Sequence, residues 1–376
     1  MFPPQLTPEE EAQVSLSNPD VVTKYKAAAR IVNQAIAAIV AAAKPGTLVT
    51  DLCDLGDTFM NDAVAKEFKG KDEEKKPVEK GIAVPTCISV NHCVGHWSPV
   101  ESAQTLKDGD LVKIDLGCHI DGFASQAGHT FVVGASKVTG READVMQCAK
   151  DCYEAAARLI KPGGFVDDVP PVLEKIAKHY GVSHVEGVMT NQMNRFIIDS
   201  GKVILNRPSD NPEQQFQNAM FEEGEVYAID VIVSTGSGKP KMIDEKETTV
   251  FKRNYGHLDL KVKASRQLIS QIDKRFPTML FSLRNLDGGI DTKVKLAVQD
   301  LSRSGMITHF PVTWEKEGEQ VAQVKGTFLL MPNGSDRLNS FPQDQVVESD
   351  KKATLDDEVK ALLSTSLKPK KKKNKA

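Results

Sequence analysis

The chain has 376 residues, is 40% hydrophobic and 26% charged, and carries a formal net charge of −3. These are the proportions of a globular protein with room for one large or two ordinary domains. No run of about 18 apolar residues exists, so no membrane-spanning helix is expected. The most apolar stretch, AIAAIVAAA at 35–43, is too short and too far from the start for a secretory signal. The charge is unevenly placed: six lysines crowd 368–375, and without them the preceding 367 residues carry −9. A mildly acidic body with a basic end is not a uniformly basic nucleic-acid binder. Six cysteines, at 53, 87, 93, 118, 148 and 152, include no CxxC pair. That spacing speaks against a zinc ribbon or a redox dithiol, and for reduced, buried thiols in a cytosolic or nuclear protein. Cys148 and Cys152, four apart, fit core packing on one helix face.

In chain order, residues 1–14 are acidic and proline-rich, the composition of a flexible arm. Asn18-Pro19 opens the first long helix, an Asn cap followed by Pro at the first helical position. Apolar residues at 21, 22, 25, 28, 32, 36, 39 and 40 line one helical face, and Lys44-Pro45-Gly46 ends it. Thr50 or Asp51 is expected to cap a second helix reaching about residue 67. The stretch 66–81 has no periodicity and mixes charges, as an exposed loop does. From 86 to 134 the pattern is β, with glycines at 117, 122 and 128 for turns and bulges. Helices follow at 141–160 and 167–179, then strands at 225–234 and 247–252. Helices then strands, given twice, predict an α+β domain with helices covering one face of a curved antiparallel sheet. Between 256 and 310, two amphipathic helical segments (265–286 and 292–307) and a strand at 308–315 predict a small winged-helix-like insert. VAQVKGTFLLMP at 321–332 returns to the main sheet. A polar C-terminal extension, 336–376, holds a short helix within 352–366 and the lysine tail. The main domain is thus 15–255 plus 311–335.

Two phrases recur at nearly one interval. LKDGDLVKIDLG carries Asp115 near its end and FEEGEVYAIDVIV carries Asp230, 115 residues on; the Lys-Pro-Gly turns at Pro45 and Pro162 lie 117 apart. Matching intervals for two different phrases argue for an internal duplication. Halves packed about a pseudo-two-fold axis would bring Asp115 and Asp230 to a shared centre.

The phrases KIDLG with downstream HTFVV, EGEVYAIDVIVSTGSG and VAQVKGTFLLMPNG resemble the pita-bread fold of the methionine aminopeptidases, and the insert resembles the type-two branch. FLLMPNG, VYAIDV and NHCVGHWSP are most similar to the proliferation-associated, ErbB-receptor-binding branch, a set of non-peptidase relatives. The resemblance covers about residues 15–335. It implies a dinuclear metal site built from two Asp, one His and two Glu, but only Asp115 is retained. Gln126 stands for the second Asp, Asn191 for the His, Asp230 for the first Glu and Lys325 for the last Glu. His96 matches a substrate-contacting histidine. The family's five ligands carry −4; these five residues sum to −1. An ammonium about 4 Å from a divalent ion is repelled by about 8 kcal/mol at an effective dielectric near 20. Without metal there is no low-pKa water to attack a peptide bond. Lys325 is instead expected to replace the metal charge and pair with Asp115 or Asp230, with no cofactor.

By resemblance the chain is expected to bind the large ribosomal subunit near the exit tunnel, and other structured RNA. Signalling or transcription-regulatory partners, a monomeric state and a cytoplasmic and nuclear or nucleolar location follow from the same source, as do roles in ribosome biogenesis, translation and growth. Candidate phosphate contacts are Lys66, Lys69, Lys75 and Lys76 in the charged loop, and Lys261, Lys263, Arg266, Lys274, Arg275 and Arg284 in the insert. In the tail they are Lys370, Lys371, Lys372 and Lys373. No aromatics interleave the tail, so base stacking has no support there. His92-Cys93-x-x-His96 has too few ligands for zinc, and Gly236 and Gly238 in STGSGK form an incomplete phosphate loop. Two alternatives stay open: an active metallo-aminopeptidase with an atypical site, and a peptide- or histone-binding module.

Overall fold

The computed structural model describes residues 7–70, 76–207, 218–256 and 260–368. Helix α1 (Pro8–Val14) is closed by a capping box between Thr7 and Glu10, so part of the expected arm is helical. Asn18 caps α2 (Pro19–Ala42): its side-chain oxygen accepts from the Asp20 N–H at 3.0 Å, with Pro19 at the first position. Helix α3 (Val49–Val64) starts at Leu48 without a side-chain cap, so Thr50 and Asp51 lie inside its first turn instead of capping it. The first set of strands is β1 (Lys80–Val90), β2 (Cys93–Gly95), β3 (Leu111–Ile120), β4 (Phe123–Val132) and β5 (Lys137–Val138). Helices α4 (Gly140–Leu159) and α5 (Val169–Tyr180) follow, the latter stopped by Gly181 at φ 69°. The second set of strands is β6 (Ser183–His184), β7 (Met189–Asn194), β8 (Ile197–Leu205) and β9 (Val226–Ser234).

Strand β10 (Val250–Arg253) opens the insert. It pairs with β11 (Leu280–Ser282) and β12 (Ile307–Phe310), and α6 (Lys263–Arg275) and α7 (Thr292–Arg303) pack over this three-stranded sheet. The insert therefore begins before residue 256. Helix α6 is shorter than its amphipathic pattern suggests, because Phe276-Pro277 ends it and the next apolar residues form β11. The insert has its own core around Phe251, Ile272, Phe281 and Leu301. After β13 (Thr313–Trp314), strand β14 (Val321–Met331) rejoins the main sheet, followed by β15 (Gly334–Arg337), β16 (Val346–Val347) and α8 (Asp357–Ser364).

The main sheet runs β1-β3-β4-β14-β9-β7-β8, antiparallel throughout, with β15 on β14 and β6 on β9. Period-two alternation decides what each face carries. Val112, Ile114, Leu116, Tyr227, Ile229 and Val231 point to the helices and form two large cores with α2, α3, α4 and α5. The alternate positions, among them Lys113, Asp115, Gln126, Asp230 and Lys325, share the other face. The C-terminal extension is integral to the fold. Asn339 accepts from the Thr327 N–H at 2.8 Å and donates to Asn33 at 3.1 Å, and Phe341 packs against both cores. The polar composition of this segment hides a few residues that do specific docking.

Candidate functional site

The register of the central strands assembles the site. Asp115 lies opposite Gly128, Gly128 opposite Lys325, and Lys325 opposite Asp230. Directly paired residues share a face, so four neighbouring strands bring three charged side chains to one point. Gly128 makes this possible: a Cβ there would lie 2.9 Å from the Lys325 Cβ. Lys325 Nζ donates to the two Asp115 carboxylate oxygens at 3.2 and 3.3 Å, and lies 3.7 Å from Asp230 Oδ2. The three side chains are 11–14% exposed.

Burial opposes the charged form of Lys325, but the Asp115 and Asp230 carboxylates outweigh it and hold the ammonium above the usual lysine range. Burial pushes Asp230 up to about 6, against the pull of Lys325. Asp230 has a fixed shell that sequence reasoning missed. Gln323 Nε2 donates to Oδ1 at 2.9 Å, Asn206 donates to the backbone carbonyl at 2.7 Å, and the Asp230 N–H donates to Thr190 Oγ1 at 3.1 Å. Gln323 was findable, being two residues from Lys325 on the same strand face; Thr190 and Asn206 had no local signal.

Gln126 and Asn191 share this face but not the ion cluster. The Gln126 amide turns to Met193 Sδ at 3.1 Å, and Asn191, opposite Ala228, donates to the Met189 carbonyl at 3.4 Å. His96 sits at φ 61°, a left-handed conformation that costs a non-glycine residue about 1 kcal/mol or more. Its Nδ1 lies 3.3 Å from the Pro311 carbonyl and its ring packs edge-on against Phe310. Burial pushes its pKa down, against the pull of the Asp115 carboxylate. Lys113, also on this face, is buried with its Nζ on the Asn91 carbonyl at 2.9 Å, and burial pushes it down to about 7.

This donor set does not suit a pair of divalent cations. Two amides point elsewhere, and an ammonium bridges the remaining two carboxylates where a bridging carboxylate would be needed. Among the described residues no group of three or more His, Cys, Asp or Glu side chains is placed to hold a metal ion.

The basic candidates separate by environment. Lys66, Lys69, Lys76, Lys261, Lys263 and Lys274 are exposed. Arg266 bends back onto the Leu260 and Lys261 carbonyls at 2.8 Å each, and Arg275 pairs with Asp287 at 2.6 Å. Arg284 is not available to phosphate: its side chain is 5% exposed and is clamped by Asp54 and by Asp57, the latter at 2.7 Å. Lys75, Lys370, Lys371, Lys372 and Lys373 lie outside the described residues. In the STGSGK turn, Glu315 Oε1 accepts the Gly238 N–H at 2.6 Å, so a carboxylate already fills the place a phosphate would need.

Residues 23–251 match metallopeptidase family M24. An ErbB-3 binding protein 1 of Arabidopsis thaliana is 44% identical over 96% of this chain and 90% of its own length. Proliferation-associated protein A of Dictyostelium discoideum is 42% identical over 97% and 94%. Among solved structures, a thermophilic Arx1 superposes with TM-score 0.82 at 26% identity, covering 94% of this chain and 100% of that one. A methionine aminopeptidase of Thermotoga maritima superposes at 0.58 with 17% identity, over 87% and 99%, a likeness of fold.

Proposed function

We propose that this chain, which belongs to metallopeptidase family M24 and has its pita-bread fold, no longer cleaves peptides and instead docks on the large ribosomal subunit near the exit tunnel. The observation that carries this reading is Lys325 Nζ lying between Asp115 and Asp230. A permanent positive charge at that point satisfies the two carboxylates and competes with any cation for them. Similarity over nearly the full length to ErbB-3-binding and proliferation-associated proteins supports placing the chain on that side of the family.

With the metal chemistry gone, the exposed lysines supply the contacts. Lys261, Lys263 and Lys274 on the insert and Lys66, Lys69 and Lys76 near the charged loop offer a sequence-independent grip on phosphates, and the lysine tail adds to it. Recognition of this kind follows the shape of folded RNA and weakens with salt. Binding to other structured RNA, a part in ribosome biogenesis, translation and growth control, signalling or transcription-regulatory partners and a cytoplasmic and nucleolar location complete the proposal, with a monomer that needs no cofactor.

Co-sedimentation with purified large ribosomal subunits across a salt series tests it. Binding is expected at low salt, with a steep loss as salt rises. A combined Lys261→Glu, Lys263→Glu and Arg266→Glu variant is expected to bind at least about tenfold more weakly, a change of about 1.4 kcal/mol. Absence of binding at low salt overturns the ribosomal reading. Unaltered binding by the variant removes the insert from the contact surface. Release of N-terminal Met from a short peptide by the metal-supplemented protein would favour the enzyme reading instead.

A further inference from the structure

The opposite side of the central sheet carries an unassigned cavity. Strands β4 and β14, which carry Gln126 and Lys325 on the face of the ion cluster, present His129, Phe131 and Val324 to the helices. There the two repeats meet: Val40 of α2 and Met146, Lys150 and Tyr153 of α4 face a gap that the segment 339–347 covers. It closes the gap incompletely, leaving a cavity of about 560 Å³, within the range of small-molecule sites.

The walls have two characters. On one side, aromatic rings gather around Phe341. The His129 ring stacks on Phe341 (centroids 5.5 Å apart, planes at 8°) and on Phe131 (6.3 Å, 11°), and Tyr153 meets Phe341 edge-on at 6.2 Å. Neither His129 nitrogen has a hydrogen-bond partner among the described residues. Burial, then the Lys150 charge, push His129 down to about 4, so the ring is neutral at physiological pH. The Tyr153 hydroxyl is buried, also without a hydrogen-bond partner, and lies so close to Gly326 that a Cβ there would be 2.2 Å from it.

On the other side stand Lys150 and Lys352. Both are exposed and neither has an ion-pair partner among the described residues. The cavity's other cation, Arg337, is spent on Glu154 at 2.7 Å. Asp344, on the closing segment, is an acid opposing them that has no ion-pair partner among the described residues. The balance leaves one positive charge beside a flat aromatic wall.

We propose that this cavity is a binding site for a small acidic molecule with a flat aromatic or apolar body, its rings set against Phe341 and His129 and its anionic group held by Lys150 and Lys352. The site is independent of the ribosomal reading, because it lies across the sheet from the ion cluster and uses neither the insert nor the tail. Its occupancy would brace the closing segment that joins the two repeats.

The test is titration of the full chain with the aromatic sulfonate 8-anilinonaphthalene-1-sulfonate, followed by fluorescence. One saturable site is expected, with about tenfold weaker binding when Lys150→Glu and Lys352→Glu are combined, a loss of about 1.4 kcal/mol. Both lysines are exposed, so the variant is expected to fold, which its melting curve checks. The uncharged analogue N-phenyl-1-naphthylamine is expected to bind more weakly than the sulfonate. The imidazole proton resonance of His129, assigned with His129→Gln, is expected to move as the sulfonate is added. Absence of a saturable site, undiminished affinity in the folded double variant, or a stationary His129 signal at saturation overturns the proposal.

Discussion

Replacing Lys325 with methionine leaves the Asp115 and Asp230 carboxylates close together in a buried place with no counter-charge. Breaking a buried ion pair on one side typically costs about 3–5 kcal/mol, so Lys325→Met is expected to lose stability of that order in urea unfolding at pH 7. Part of the loss is expected to return as pH falls and the carboxylates protonate; a variant as stable as the parent at pH 7 would contradict the pairing. Lys113 makes a separate prediction. Its folded pKa of about 7 lies below the value of 10.5 expected of the free side chain. Between those values the unfolded chain keeps a proton that the folded chain has shed, so folding gains stability as pH rises through that window. Thermal melts of the parent against Lys113→Met are expected to diverge in the parent's favour between pH 7 and 10; parallel curves would mean that Lys113 stays charged when folded. At this scale the sequence exposed the charged trio, because each member sits in a long phrase with a recognisable partner or counterpart. It did not expose Thr190 and Asn206, whose role depends on β7 lying beside β9 and β8 beside β7, pairings that no local pattern in 181–224 announces.

The elements follow from short-range chemistry where that chemistry is strong. The Asn18-Pro19 start of α2, the Lys-Pro-Gly stops and the alternation of β3, β9 and β14 were all readable from the chain. Boundaries slipped for two reasons: α3 begins at an uncapped Leu48 that bridges to Thr105 across the fold, and the amphipathic run after α6 gives way to β11 because Pro277 interrupts it locally. The clearest misreading was Arg284, grouped with the phosphate contacts from its charge alone. It is a tie between insert and body, holding Asp54 and Asp57 on α3 while neighbouring Asn285 donates to Asp57 at 2.8 Å. Arg284→Met strands a buried carboxylate. It is expected to speed amide hydrogen exchange across the insert, and at Thr86, whose N–H donates to Asp57 at 2.8 Å, while α4 and α5 keep their protection. Exchange accelerated evenly through the whole chain would show that the insert is not a separately held unit.

Over the whole molecule, the duplication explains why one strand decides the charge balance of the site. Each repeat delivers an aspartate to the junction, and β14, between β4 and β9, delivers the residue that decides what those aspartates bind. With glutamate there, three carboxylates would converge and draw in cations; with lysine, the charges close on one another and the face is left free to serve other contacts. The duplication itself was legible from two intervals, 115 and 117 residues. The closing of the opposite face by 339–347 was not, because that segment docks through Asn339 and Phe341 and has no repeating pattern. The ion cluster is tested most directly by anomalous diffraction from crystals of the full chain soaked in manganese(II). The account predicts no anomalous peak between Asp115, Lys325 and Asp230, with the Lys325 ammonium in contact with both carboxylates. Two ordered manganese ions at that position, with Lys325 displaced, would contradict it.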